Sequence, residues 1–276
     1  MMLNIFGHLN ANKLVKPKKE TIYISYDNRT FGPGKNIYIQ VEPEAIYSYR
    51  NFLIANKNKF YKILTYDEEV LSKCDNSIFY LGKTPWIPEK IYNSINIDDK
   101  KFAISSVTGS KRQTIGHKFR QQLYFNQNKI TVPKLFFRSS RGAILPEVKN
   151  PYNPLLKNSK IELFSVFQFS LAIENSRQNN YFSEKLLDCL FTKTIPIYYG
   201  APNISNYFDT TGWIILENEN LKEAIEKINS LDKDYYQKYL PIIEKNFKTC
   251  IEKYNRDNDY IKAINDVFKT LPEFSD

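Results

Sequence analysis

The chain has 276 residues, 42% of them hydrophobic and 15% aromatic, enough to build one large core or two ordinary ones. Lys and Arg exceed Asp and Glu by 39 to 30, giving a net charge of +9. The lysines are scattered, so a solvated basic surface competes with a nucleoside diphosphate or an acidic membrane surface as the reason for the excess. Three widely separated cysteines, Cys74, Cys189 and Cys250, and two histidines, His8 and His117, argue against a disulfide scaffold, a structural zinc site or a multi-histidine metal centre. They point to a reducing compartment. No apolar run reaches membrane length, and no nucleic-acid motif, internal repeat or glycine-rich phosphate loop is present.

Taken in order, Leu3 to Phe6 and Thr21 to Ser25 read as strands, and Asp27 to Gly34 as a loop rich in turn residues. Asn36 to Val41 is a strand that ends in Glu42-Pro43-Glu44. Ala45 to Ala55 is helical, Tyr61 to Leu64 a strand, Asp67 to Lys73 a helix and Ser77 to Leu81 a strand. Pro85 to Asp99 reads as a connector. A second series follows: strand Lys101 to Ser106, polar loop Thr108 to Gln113, helix His117 to Asn126, strand Lys134 to Arg138, and a long proline-containing loop from Ser139 to Ser159. After the central stretch come a strand at Trp213 to Leu216, an amphipathic helix at Leu221 to Leu231, and helices at Tyr235 to Phe247 and Asn258 to Lys269, the last packing across the structure. Strand–helix alternation at this spacing predicts an α/β fold with mainly parallel sheets.

The central stretch, Phe167 to Pro202, combines an apolar strand, a polar loop, an amphipathic helix and a second apolar strand closed by Gly200-Ala201-Pro202. That is a βαβ unit, and polar groups at the carboxyl end of its first strand lie where open parallel sheets bind ligands. Glu174, Asn175, Tyr181, Glu184 and Lys185 gather near one helix start. A helix N-terminus with free N–H groups and a lysine suits a phosphate. Ordinary capping by Ser183, with Glu184 favouring the helix dipole and Asp188 and Lys193 outside the apolar face, explains the same residues without a ligand.

Three spaced blocks resolve that choice. Phe169-Ser170-Leu171-Ala172-Ile173-Glu174-Asn175-Ser176, Tyr181-Phe182-Ser183-Glu184-Lys185 and Ile195-Pro196-Ile197-Tyr198-Tyr199-Gly200-Ala201-Pro202 resemble the donor-binding signature of glycosyltransferase family ten, the α-1,3-fucosyltransferases. Ile173 stands for the usual Phe and Ser183 for the usual Thr. The resemblance implies a GT-B architecture, with two Rossmann-like domains facing across a cleft: residues 1–100 bind the acceptor, and residues 101–276, with the C-terminal helices, bind the nucleotide sugar. It implies that Asn175, Tyr181, Glu184 and Lys185 bind the donor, and that an upstream arginine grips the diphosphate. Arg120, on the expected helix, is favoured for that role, with Arg112 as the alternative. A general base is expected at the end of the third strand, Glu42 by preference, with the neighbouring Glu44 as the alternative.

The implied reaction is inverting transfer of L-fucose from GDP-fucose to a hydroxyl of a glycan acceptor, with no metal and no other cofactor. Another donor on the same chemistry (a UDP-pentose such as UDP-xylose) and a catalytically silent carbohydrate-binding protein are the competing readings. The cysteine usage suggests a cytoplasmic bacterial or viral enzyme, with peripheral membrane contact as one use for its basic surface. Asp257-Asn258-Asp259 formally fits the DxD pattern of metal-dependent glycosyltransferases, although its place at a helix start favours capping.

Overall fold

The computed structural model describes residues 2–7, 14–139, 160–255 and 260–274. His8, the loop following Ser139 and the Asp257-Asn258-Asp259 motif lie outside the described residues. The chain forms two compact units: Met1–Lys83 with Gln178–Tyr181 and Asp257–Asp276, and Thr84–Arg177 with Phe182–Arg256.

In the first unit, β1 (Leu3–Phe6), β2 (Ile22–Tyr26), β3 (Lys35–Ile39), β4 (Lys62–Thr65) and β5 (Ser77–Phe79) form a parallel sheet in sequential order. Alternate residues of each strand point to opposite faces, as pleating requires. Ile22, Ile24, Ile37, Ile39 and Leu64 meet Ile261, Ile264 and Phe268 of the C-terminal helix, Tyr260–Lys269. On the other face Tyr38 and Ile63 pack on Tyr49, Leu53 and Val70. Those residues come from α2 (Tyr49–Ala55), which follows the short α1 (Glu44–Tyr47), and from α3 (Glu68–Lys73).

The chain leaves this unit at Lys83, earlier than the expected boundary at residue 100. The segment read as a connector is built into the second unit instead. Its backbone N–H groups at Trp86 and Ile87 donate to Asp188 Oδ1, at 2.7 and 3.2 Å, and it carries α4 (Glu89–Tyr92). Asp188, expected on a solvated face, is therefore fully buried. The closing residues differ in the same way. Grouped by sequence with the donor half, they complete the apolar core of the first unit, packing with Leu14 and Val15 on one face of its sheet.

The second unit holds β6 (Lys101–Gly109), α5 (Ile115–Phe125), β7 (Lys134–Ser139), α6 (Lys160–Val166), β8 (Phe167–Ile173), α7 (Glu184–Phe191), β9 (Ile195–Tyr199), β10 (Ile214–Ile215), α8 (Leu221–Asn229), α9 (Tyr235–Lys238) and α10 (Leu240–Tyr254). Its five parallel strands run β10-β9-β8-β6-β7. Phe119 and Leu123 of α5 and Ile225 and Ile228 of α8 cover one face, against Phe169, Leu171, Ile195 and Ile197. Helix α7 lies against β8, β9 and α10. Every residue from Leu186 to Phe191 is buried.

Candidate functional site

The strand order of the second sheet reverses between β6 and β8: the chain goes outward to β7, then returns past β6 to β8, β9 and β10. Loops leaving the carboxyl ends of β6 and β8 diverge there and leave a crevice, the place where open α/β sheets take ligands. The loop after β8 begins with Glu174, whose backbone N–H extends the ladder to the Tyr199 carbonyl at 2.7 Å. The loop after β6 leads to α5.

Helix α5 starts against the β8 loop. Gly116 N–H donates to the Asn175 carbonyl at 3.1 Å. A Cβ on Gly116 would overlap the Glu174 carbonyl oxygen, so a glycine lets the helix start come this close. Thr114 caps the helix in a capping box completed by a histidine: His117 Nδ1 accepts from Thr114 N–H at 3.3 Å, and His117 N–H donates to Thr114 Oγ1 at 3.3 Å. An accepting Nδ1 must be unprotonated. Burial, reinforced by the positive charges of Arg120, Lys111 and Lys185, pushes the imidazole down to about 4. His117 is thus a buried neutral cap rather than a surface histidine, and three cations lie near enough to act on it.

Arg120, one turn into α5, donates from Nη2 to Asn175 Oδ1 at 2.9 Å. Two of the expected donor ligands are therefore joined directly. Across the loop, Glu174 is fully buried and accepts from Ser183 N–H at 2.8 Å and Ser183 Oγ at 2.7 Å. Ser183 Oγ in turn caps α7, accepting from Lys185 N–H at 3.3 Å. Lys185 Nζ reaches Ser183 Oγ at 3.0 Å, Glu184 Oε1 at 3.1 Å and Glu174 Oε2 at 3.7 Å. Burial raises the Glu174 carboxyl above its ordinary value. Burial also works against the Lys185 charge, yet Glu184 and Glu174 outweigh it and hold the ammonium above its ordinary range.

Two helix N-termini, a guanidinium, an ammonium and Lys111 thus surround one loop, with half-buried Asn175 and Glu184 offering polar groups beside them. Such a cluster binds an anion and can hold sugar hydroxyls at its edge. Arg112 lies exposed in the loop between Gly109 and the Thr114 cap.

Tyr181 and Glu42 belong to the other unit. Tyr181 is buried, its ring stacked on Tyr66 with centroids 6.0 Å apart, and the Lys83 ammonium lies 5.2 Å from its centre. Its neighbours are fastened locally as well: Gln178 accepts from Glu44 N–H at 3.0 Å and donates to Asp67 at 3.1 Å, and Asn180 donates to the Tyr66 carbonyl at 3.0 Å. Glu42 is half-buried just past the carboxyl end of β3. Glu44 Oε2 accepts from Arg50 N–H at 2.9 Å, so of the two glutamates Glu44 serves as a helix cap.

Sequence reading missed Asp27 at this edge. Its carboxylate accepts from the backbone N–H groups of Val41, at 2.9 Å, and Glu42, at 3.0 Å. Read as the first residue of a polar loop, it carries no local signal. The β2–β3 register, which pairs Tyr26 with Ile39, sets it beside the turn.

Residues 145–265 match the family model of glycosyltransferase family 10 (fucosyltransferase), C-terminal part. The chain is 32% identical over 129 residues to the α-(1,3)-fucosyltransferase FucT of Helicobacter pylori, a stretch covering 46% of this chain and 27% of that protein. It is 30% identical over 99 residues to the GDP-fucose protein O-fucosyltransferase 3 of Bos taurus, covering 34% and 20% respectively. The matched stretch thus spans about a quarter of the length of these curated relatives. Among solved structures, S. aureus TarM superposes with a TM-score of 0.55 at 14% identity, covering 94% of this chain and 57% of that one. An α1,3-fucosyltransferase superposes with a TM-score of 0.51 at 18% identity, covering 92% and 80%. The fold is GT-B, and the chain is similar to family 10 fucosyltransferases in its second half.

Proposed function

We propose that this relative of the family 10 fucosyltransferases is a glycosyltransferase that moves L-fucose from GDP-fucose to a hydroxyl of a glycan acceptor, with inversion at the anomeric carbon and without a metal. The observation that carries the reading is the Arg120–Asn175 hydrogen bond at the sheet's switch point, beside Lys185 and the α7 N-terminus. A diphosphate carries its charge where those groups converge, and a guanidinium fork fits its oxygens.

In this reading Asn175 and Glu184 orient the nucleotide sugar, and Tyr181 takes part from the loop between them. The acceptor hydroxyl gives its proton to Glu42 as its oxygen bonds to the anomeric carbon on the face opposite the diphosphate. The carbon–oxygen bond to the diphosphate breaks, and GDP departs with the electron pair. Arg120, Lys185 and the helix N-terminus stabilise the negative charge that develops on the leaving group, the service a divalent cation performs in other transferases. Arg112, exposed in the loop before α5, is the alternative to Arg120 for the diphosphate. Three buried free thiols, Cys74, Cys189 and Cys250, agree with work in a reducing compartment such as the cytoplasm. No helix among the described residues is long and apolar enough to cross a membrane.

A thermal-shift panel of GDP, GDP-fucose, UDP and UDP-sugars tests the donor. The GDP compounds should raise the melting temperature in proportion to their affinity. A shift with UDP compounds alone overturns the fucose reading in favour of another nucleotide sugar. Glu42→Gln should bind GDP-fucose normally and transfer roughly 100- to 10,000-fold more slowly. Full transfer by that variant removes Glu42 as the base.

A further inference from the structure

We infer that Asp27 is the positioning residue for the acceptor-side base, clamping the Val41–Glu42 turn through both of its backbone N–H groups and releasing it on protonation. The inference rests on the proposed transfer for its catalytic meaning, while the clamp is visible in the geometry alone. One carboxylate oxygen takes Val41 N–H at 2.9 Å and the other takes Glu42 N–H at 3.0 Å. The turn that carries Glu42 is therefore fixed from a neighbouring strand. Asp27 is itself held on three sides. Its N–H donates to the Ile39 carbonyl at 3.0 Å, its carbonyl accepts from the Tyr49 hydroxyl, and its backbone sits at φ 44°, the left-handed region that Asp tolerates better than most side chains. A residue held in a sparsely populated backbone region by its surroundings is a common mark of a functional position.

The clamp has a natural release. An ionised carboxylate accepts strongly at both oxygens; protonation turns one of them into a hydroxyl, a much weaker acceptor for the second N–H. Burial pushes the Asp27 carboxyl up to about 7, opposed by the two N–H donors and by Lys83, and assisted by the like charge of Glu42. The groups facing it are Glu42 beyond β3, Lys83 beyond β5, the Tyr38 hydroxyl of β3 and the Tyr49 hydroxyl of α2. Lys83 also donates to the Val41 carbonyl at 3.1 Å, so the same turn is gripped by a carboxylate on its N–H side and an ammonium on its C=O side. Below the Asp27 titration the clamp opens. Above it the clamp is closed and Glu42 is held in place.

Two readouts test this. Hydrogen–deuterium exchange across residues 36–44, followed from pH 5.5 to 8.5 and corrected for the intrinsic rate, should show protection at Val41 and Glu42 that rises through about pH 7. In Asp27→Asn the protection should be low at every pH, since the amide offers one acceptor instead of two. Transfer from GDP-fucose to an N-acetyllactosamine-terminated oligosaccharide should show an acid limb near the same pH. Asp27→Asn should lower kcat by roughly 10- to 100-fold and flatten that limb, while the GDP thermal shift is kept. Lys83→Met, which removes the charge favouring ionised Asp27, should move the limb and the exchange transition to higher pH. Equal protection at pH 6 and pH 8, or an Asp27→Asn enzyme with the parent's pH profile, overturns the inference. If the parent protein neither binds nor turns over GDP-fucose, the transferase reading falls, and the exchange transition alone decides whether Asp27 clamps the turn.

Discussion

The two units are built from the same parts, five parallel strands with helices against them, and differ in the order of those strands. The first sheet runs in sequence from β1 to β5, whereas the second runs β10-β9-β8-β6-β7 and reverses beside β6. A sequential sheet sends every connection the same way and leaves no place within it where neighbouring loops part. A reversal creates that place. The charged groups follow the topology. In the second unit they crowd the reversal point, where Arg120, Lys111 and Lys185 act on one histidine. In the first, the functional candidates are carboxylates at a strand end, held by backbone N–H groups. Strand order, more than composition, separates a cluster of cations from a group of carboxylates here.

The sharpest way to break that comparison is to discharge the reversal point. Arg120→Ala should cost roughly 100- to 1,000-fold in kcat/KM and abolish most of the GDP-dependent thermal shift. An Arg120→Ala protein that binds GDP as the parent does would mean that the reversal point is not the phosphate site. A milder probe leaves the charges and moves the helix that bears one of them. Gly116→Ala forces the α5 start away from the Glu174 carbonyl, at about 1–3 kcal/mol in stability by chemical denaturation, with weaker GDP binding alongside. The matching substitution at the carboxyl end of β6, Gly109→Ala, meets nothing within 4 Å and should leave both measurements unchanged.

The smallest effect concerns a buried lysine in the second unit. Lys100 Nζ donates to the Phe164 and Phe167 carbonyls at 3.0 and 2.9 Å and to Thr194 Oγ1 at 2.8 Å. Burial pushes its pKa down to about 7 from 10.5. Between those values the unfolded chain holds the proton more tightly than the folded one, so stability rises with pH, by about 1.4 kcal/mol per unit at most, and is flat below about 7. Urea denaturation at pH 7.5 and 9.0 should register the gain, and Lys100→Met should abolish it. A parent protein equally stable at both values would show that the three acceptors keep the ammonium charged throughout.

Much of this was legible in the sequence where a local pattern carries the information. The alternation in Asn36-Ile37-Tyr38-Ile39 survives as one strand with two buried faces. The Ser183 cap and the apolar stripe of α7 are where spacing put them. What was not legible depends on partners distant in the chain. Asp188 reads as a solvated helix residue until the N–H groups of Trp86 and Ile87, about 100 positions earlier, are seen to need an acceptor. Asp27 reads as a loop residue until strand register brings it to the turn after β3. His117 reads as a surface residue because capping boxes are ordinarily completed by a glutamate or glutamine. Tyr181 sits inside a family motif, yet its ring is buried on Tyr66, and the motif alone does not reveal that packing.

The C-terminal helix has a consequence for how the molecule is made. During synthesis the strands that carry Ile22, Ile24, Ile37 and Ile39 emerge more than 200 residues before the helix that covers them, with Ile264 and Phe268. Over that interval the nascent chain presents an incompletely covered apolar sheet face. The first unit is therefore completed after the strands of the second, contrary to the usual N-to-C order of domain completion. A ribosome stalled before residue 260 should hold a chain that recruits chaperones through that face, and release of the last turns should end the recruitment.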